Sequence, residues 1–174
     1  MINTLITSKT RIKLLLKFFL NPQNAAYLRG LESEFGESSN AIRLELNRLE
    51  QADMLNTEVQ GNRKLFRVNQ HHPLYMEINS IVRKYFGLDV IVENIAKRLG
   101  ELESVYLTGD IAKGRDSGII DLVFVGDVDQ NYLISLIGKA EKLIKRKVRY
   151  LVYNEEDFKN SGLQEKGMVL VWNR

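Results

Sequence analysis

The sequence contains no cysteine among its 174 residues. That excludes a disulfide framework, a thiolate metal centre and a cysteine nucleophile together. Histidine is nearly absent. His71 and His72 are the only two, and neighbouring side chains diverge on a regular element, whereas metal-binding histidines on a helix share a face at wider spacing. Two prolines and no low-complexity run argue against long disordered segments. Long apolar runs are missing too. The stretch from Leu14 to Leu20 comes nearest, but Lys17 interrupts it far short of the ~18 residues that span a bilayer. Ile12, Leu15, Leu16 and Phe19 instead recur at i, i+3, i+4 and i+7, the pattern of an amphipathic helix with one buried face. A cytoplasmic protein without membrane contact is therefore expected. Strong charge of one sign is also lacking: the net charge is +3, so any nucleic-acid footprint must be local.

What remains is ordinary globular composition, 44% hydrophobic and 27% charged, long enough for one large domain or two small ones. Thr7 or Ser8 can cap a helix running to about Leu20, and Asn21-Pro22 stops it. A second short helix is predicted from about Asn24, with Tyr27, Leu28, Leu31 and Phe35 on one side and Gly36 ending it. A third runs from Ser38-Ser39 through Ala52, burying Ile42, Leu46 and Leu49. Its opposite face carries Asn40, Arg43, Leu44 and Asn47, flanked by Arg48. Asn pairs with adenine, Arg with guanine or phosphate, and Leu with a thymine methyl. Alternating segments on either side of Gln60-Gly61-Asn62-Arg63 then predict a β-hairpin, whose tip and return strand carry Arg63, Lys64 and Arg67.

Three helices followed by a basic hairpin have the order of a winged helix-turn-helix. The run Ser38 to Glu50, the Gly61-Asn62-Arg63-Lys64 tip and Asn69 to Leu74 together resemble bacterial winged-helix regulators of the arsenic-repressor type, over about residues 7 to 86. Met54 departs from the family's pattern, standing where a glycine is usual. The resemblance implies a transcriptional regulator that binds double-stranded DNA. Ser39, Asn40, Arg43 and Asn47 would then read bases or nearby phosphates, and Arg48, Arg63, Lys64 and Arg67 would hold the backbone. It also implies a homodimer held partly by the helix after the hairpin. That helix is predicted over Pro73 to Phe86 with Tyr75, Ile78, Ile81, Val82 and Tyr85 as apolar anchors. Gly87 ends it, and Asp89 is expected to cap a further helix from Val90 to about Leu99.

From Ser104 the pattern changes. Strands are predicted at Val105 to Leu107, Ile119 to Gly126, Val148 to Tyr153 and Met168 to Trp172, with a helix from Asp129 to about Lys145. The whole is an α+β chain: residues 1–72 as the winged helix, 73–103 as a helical connector and dimerisation region, and 104–174 as a small α/β domain. The basic run Lys142, Lys145, Arg146, Lys147 and Arg149 is taken as a solvated helix end.

Gly109 to Leu122 resembles the signature of the nucleotidyltransferase fold, including the minimal transferases of toxin–antitoxin systems. That signature has Gly-Ser after the first strand, then two acidic residues flanking one apolar residue, with a third carboxylate on a later strand to hold divalent metal. Gly109, Ala112, Lys113, Gly114 and Asp121 match it, but Asp110 replaces the serine, Ile119 the first aspartate, and Arg149 stands near the third carboxylate's place. The resemblance thus implies an inactive domain without catalytic residue, metal or cofactor. Gly109, Asp110, Lys113, Gly114 and Asp121 would be the remnant of a nucleotide site that presents backbone N–H groups to phosphate. Such a domain would serve as a sensor for a nucleotide or other small effector, or as a protein-contact platform. Two further expectations stand beside the regulator: a nucleotidyltransferase targeted by its winged helix, and a winged-helix protein adaptor.

Overall fold

The computed structural model describes residues 2–163 and 167–174, with Asn3 described by its backbone alone. The chain is of mixed α and β composition, with two sheets. It divides into two compact units, the first ending at Val82 and the second running from Arg83 to Arg174. The division falls inside a helix rather than on either side of a separate 73–103 connector.

The first unit begins with α1 (Ile2–Leu5) and α2 (Lys9–Phe19). Ser8 starts α2, its Oγ accepting from the Arg11 N–H at 3.2 Å, which satisfies one of the donors a helix start leaves unpaired. Strand β1 (Ala25–Tyr27), α3 (Leu28–Phe35) and α4 (Ser39–Gln51) follow. Gly36 closes α3 in the left-handed conformation, and Ser38 caps α4. Strands β2 (Leu55–Gln60) and β3 (Arg63–Val68) meet across Gly61-Asn62, with Gln60 paired to Arg63. The sheet order is β1-β3-β2, antiparallel throughout.

The expected helix start at Asn24 is corrected by four residues. Ala25 to Tyr27 are extended because they pair with Arg67 to Leu65 of β3, whose backbone would otherwise present an open edge. The core of this unit is Leu14, Phe18, Phe19, Leu31, Ile42 and Leu46, all fully buried. One carboxylate is buried with them. Glu45 of α4 accepts from Ser8 Oγ at 2.9 Å, from Arg11 Nε at 2.8 Å and from Arg48 Nη1 at 3.1 Å, tying the start of α2 to α4.

Helix α5 (Tyr75–Phe86) crosses from the first unit into the second. Tyr75 stacks on Phe19 at 6.0 Å, and the Asn79 side-chain amide donates to the Phe19 carbonyl at 2.6 Å. Of the five anchors predicted for a dimer surface, Val82 is buried within the chain, whereas Ile81 is exposed, as are Leu74 and Met76 nearby.

In the second unit α6 (Leu88–Asn94) starts at Gly87, not at the Asp89 cap expected from the sequence. Gly87 adopts a φ of 79°, and a Cβ there would meet Ile144 Cγ2 at 2.7 Å, so glycine is required by both backbone and packing. A short 3₁₀ turn follows at Ala96–Arg98. Then come β4 (Leu102–Thr108), a single helical turn α7 (Gly109–Ala112), β5 (Ile119–Gly126), α8 (Gln130–Ile144) and β6 (Lys147–Tyr153). Finally come α9 (Glu155–Asn160) and β7 (Val169–Asn173). The sheet order is β6-β5-β4-β7, with β5 and β6 parallel across α8 and the other pairs antiparallel. Asp129 caps α8 by accepting from the Asn131 and Tyr132 N–H groups. On the sheet face that carries Asp121, Val123 and Val125, Phe158 of α9 packs against the two valines.

Candidate functional site

Two places bring predicted site residues together, one in each unit. In the first, α4 turns Ile42, Leu46 and Leu49 inward and leaves Asn40, Arg43, Leu44, Asn47 and Arg48 exposed. Beside that face, α3, α4 and the hairpin enclose a groove of about 540 Å³. Arg43 and Asn47 of α4 and Arg63 and Lys64 of β3 line it, together with Asn62 of the turn, Tyr27, and Arg29 and Gly30 of α3. No carboxylate lines it. Ser39, Asn40, Arg48 and Arg67 lie outside the lining, with Ser39 half-buried and the other three exposed.

Charge in this unit is sorted by position. Lys17 pairs with Glu34, Lys13 with Glu37, and Arg11 and Arg48 with Glu45. Burial pushes the Glu45 carboxyl up, but hydrogen bonds from Arg11 and Ser8 and the charges of Arg11 and Arg48 outweigh it and hold the group below its ordinary range. Glu50 accepts from Lys64 Nζ at 3.0 Å and from Thr57 Oγ1 at 2.9 Å, bracing the hairpin against α4. The Lys64 hydrogen bond is the main reason that carboxyl is also held low. Among the described residues, Arg29, Arg43, Arg63 and Arg67 enter no ion pair. Arg48 and Lys64, by contrast, already have acidic partners.

Arg29 is the residue sequence reasoning missed. It stands alone in the chain, and only the fold brings it beside Arg43 and Arg63. A signal was present next to it. Gly30 lies within α3, where glycine weakens a helix, and the space its Cβ would occupy is open.

The second place is the end of the β4–β5–β6 sheet. Asp121 of β5 pairs in register with Thr108 of β4 and with Arg149 of β6. Arg149 donates from Nε to Asp121 Oδ1 at 2.6 Å and from Nη2 to Oδ2 at 3.0 Å. Those hydrogen bonds, with the Asp121 charge, push Arg149 further up from its ordinary value. Asp110 accepts from Arg115 Nη2 at 2.6 Å. The backbone N–H groups of Lys113 and Gly114, expected to face a phosphate, are not available to one. They donate to the Asp110 and Ile111 carbonyls at 3.0 and 2.8 Å, as the closing turn of α7 requires. Both Asp121 oxygens accept from the Arg149 guanidinium, and among the described residues no three acidic or histidine side chains are grouped so as to hold a metal ion.

Arg146, taken from sequence as solvated, is held. Its two Nη atoms donate to Asp116 at 2.5 and 3.0 Å, and its guanidinium lies 5.4 Å from both the Tyr85 and Phe86 ring centroids. Tyr85 donates to the same carboxylate at 2.9 Å.

No family model matches the chain, and no curated protein matches it. Among solved structures, it is similar to a chain from Sulfolobus solfataricus described as a "putative nucleotidyltransferase". The similarity is 28% in identity and covers 52% of this chain and 82% of that one, at a TM-score of 0.34. Among the described residues, no helix is long and apolar enough to cross a membrane.

Proposed function

We propose that the chain is a sequence-specific DNA-binding transcriptional regulator. In this reading the first unit is a winged helix, α4 is the recognition helix and the β2–β3 hairpin is the wing. The observation that carries it is the groove between α3, α4 and the hairpin, which collects Arg29, Arg43, Arg63 and Lys64 and no carboxylate. A concave surface with unopposed guanidinium groups suits a polyanion, because field lines focus there and bidentate hydrogen bonds match phosphate and guanine alike. Arg43 and Asn47 reach base edges from α4, while Arg29 and Arg63 hold the backbone. Two copies pair so that two half-sites are read at once. The second unit serves as an effector sensor or protein-contact platform. The Arg149–Asp121 pair favours that role over nucleotide transfer, since it occupies the carboxylate that a transferase would use for metal.

The test is binding of the purified chain to DNA from upstream of its own gene, against scrambled DNA of equal length, by fluorescence anisotropy. Tighter binding to the native sequence, lost in Arg43→Ala, supports the reading. Equal binding to both sequences, or no binding to either, overturns it.

A further inference from the structure

The carboxylate of Asp121 has a particular enclosure. Its side chain is 15% exposed, and it stands opposite Arg149 in the parallel β5–β6 ladder, so both side chains leave the sheet on one face. The guanidinium meets both carboxylate oxygens, the paired geometry in which a planar fork matches a carboxylate best. Gly109 closes the other side: a Cβ at that position would meet Asp121 Oδ2 at 2.3 Å. The neighbouring Asp110 is engaged separately by Arg115. A divalent cation needs several oxygen ligands at about 2.0–2.6 Å. At Asp121 both oxygens accept from N–H donors of Arg149, whose own side chain is 68% exposed.

We propose that Arg149 is a built-in occupant of the Asp121 carboxylate, a tethered cation in the place of a metal ion. The Asp121 carboxylate in its present setting therefore takes no divalent cation, and the single substitution Arg149→Glu makes a site that does. The reason is charge at a fixed position. The substitution puts a second carboxylate beside Asp121 on the same sheet face, with Asp110 on the adjoining turn. Two carboxylates at neighbouring ladder positions repel one another unless a cation lies between them. If the pair were only an ordinary surface ion pair, the same change would destabilise the sheet and leave it indifferent to metal.

The experiment is a manganese titration of the intact chain, followed through the electron paramagnetic resonance signal of the free ion, with melting temperatures measured with and without manganese. Wild type is expected to leave the free-ion signal unchanged. Arg149→Glu is expected to take up one ion per chain, at least about tenfold more tightly than wild type, and to melt higher when manganese is added. Adding Asp121→Asn to that variant should abolish both effects. Should Arg149→Glu fail to fold, Arg149→Gln keeps the test open, because removing the tethered charge alone should create a weaker site that also depends on Asp121. Stoichiometric manganese uptake by wild type that disappears in Asp121→Asn would overturn the proposal. So would a folded Arg149→Glu or Arg149→Gln that gains no affinity.

Discussion

In the first unit Arg29, Arg43, Arg63 and Arg67 stand exposed without a carboxylate partner among the described residues, while in the second Arg115, Arg146 and Arg149 each close on an aspartate. These two sets of arginines serve opposite ends, while Arg11 and Arg48 of the first unit are also paired, with Glu45, and Arg98 of the second enters no ion pair among the described residues. Where a guanidinium is answered within the fold, it fixes a loop or strand and contributes little potential to the outside. Where it is left unanswered on a concave wall, it raises the local potential for an anion in solution. Glu34, Glu37 and Glu45 are engaged by α2 and Glu50 braces the hairpin, and no carboxylate lines the groove. A net charge of +3 conceals this arrangement.

The largest expected effect breaks the first half of the comparison. The double variant Arg43→Ala/Arg63→Ala should lose about a hundredfold in DNA affinity, roughly 2.7 kcal/mol, with an unchanged circular-dichroism spectrum. Unchanged affinity would remove the groove from the interface. Next comes Arg146→Ala, which strands Asp116 and removes the cation from the Tyr85 and Phe86 rings. With the two side chains 15% and 26% exposed, the loss is set below that of a fully buried pair, at about 2 kcal/mol in urea unfolding, and DNA affinity should be untouched.

Acid should expose the inward pairs of the first unit. Glu37, Glu45 and Glu50 have folded-state pKa values below their ordinary range, so their stabilisation is full above the ordinary glutamate value of about 4.3 and fades as pH falls through the lower folded values. Glu45→Gln should therefore flatten the acid limb of the stability–pH curve, because the group whose lowered pKa steepens it is gone. A limb as steep as that of wild type would mean that Glu45 contributes nothing ionic. The smallest effect is the most discriminating in sign. Gly30→Ala should stabilise α3 by up to about 1 kcal/mol while weakening DNA binding, because the added methyl enters the groove. Stabilisation without loss of binding would show that nothing approaches that wall.

Much of the first unit was legible in the sequence, because a buried helix face repeats every three to four residues and the hairpin announces itself at Gly61-Asn62. Ala25 to Tyr27 gave no such signal. Three residues are too few to show alternation, and their extended form depends on β3, some forty residues away. Arg29 was hidden for a similar reason: a groove made by three elements has no linear pattern. In the second unit, α9 could have been read from Asn154 and the acidic residues Glu155 to Asp157, the composition of a helix start. The pairing of Asp121 with Arg149 could not. It depends on the register of a parallel ladder across α8, and hydrophobic pattern sets the buried face of such a ladder without numbering its partners. For the same reason Arg146 and Arg149 looked like part of a solvated basic run until Asp116 and Asp121 were placed beside them.

The most direct test of the contrast between the two units is the salt dependence of DNA affinity, measured by anisotropy for wild type, Arg29→Ala/Arg63→Ala and Arg115→Ala/Arg149→Ala. Each backbone phosphate neutralised contributes about −0.9 to the log–log slope. The account predicts that the first double variant flattens the slope by roughly two such contributions, while the second leaves it as in wild type. Equal slopes for all three proteins, or a flattening confined to the second-unit variant, would contradict it.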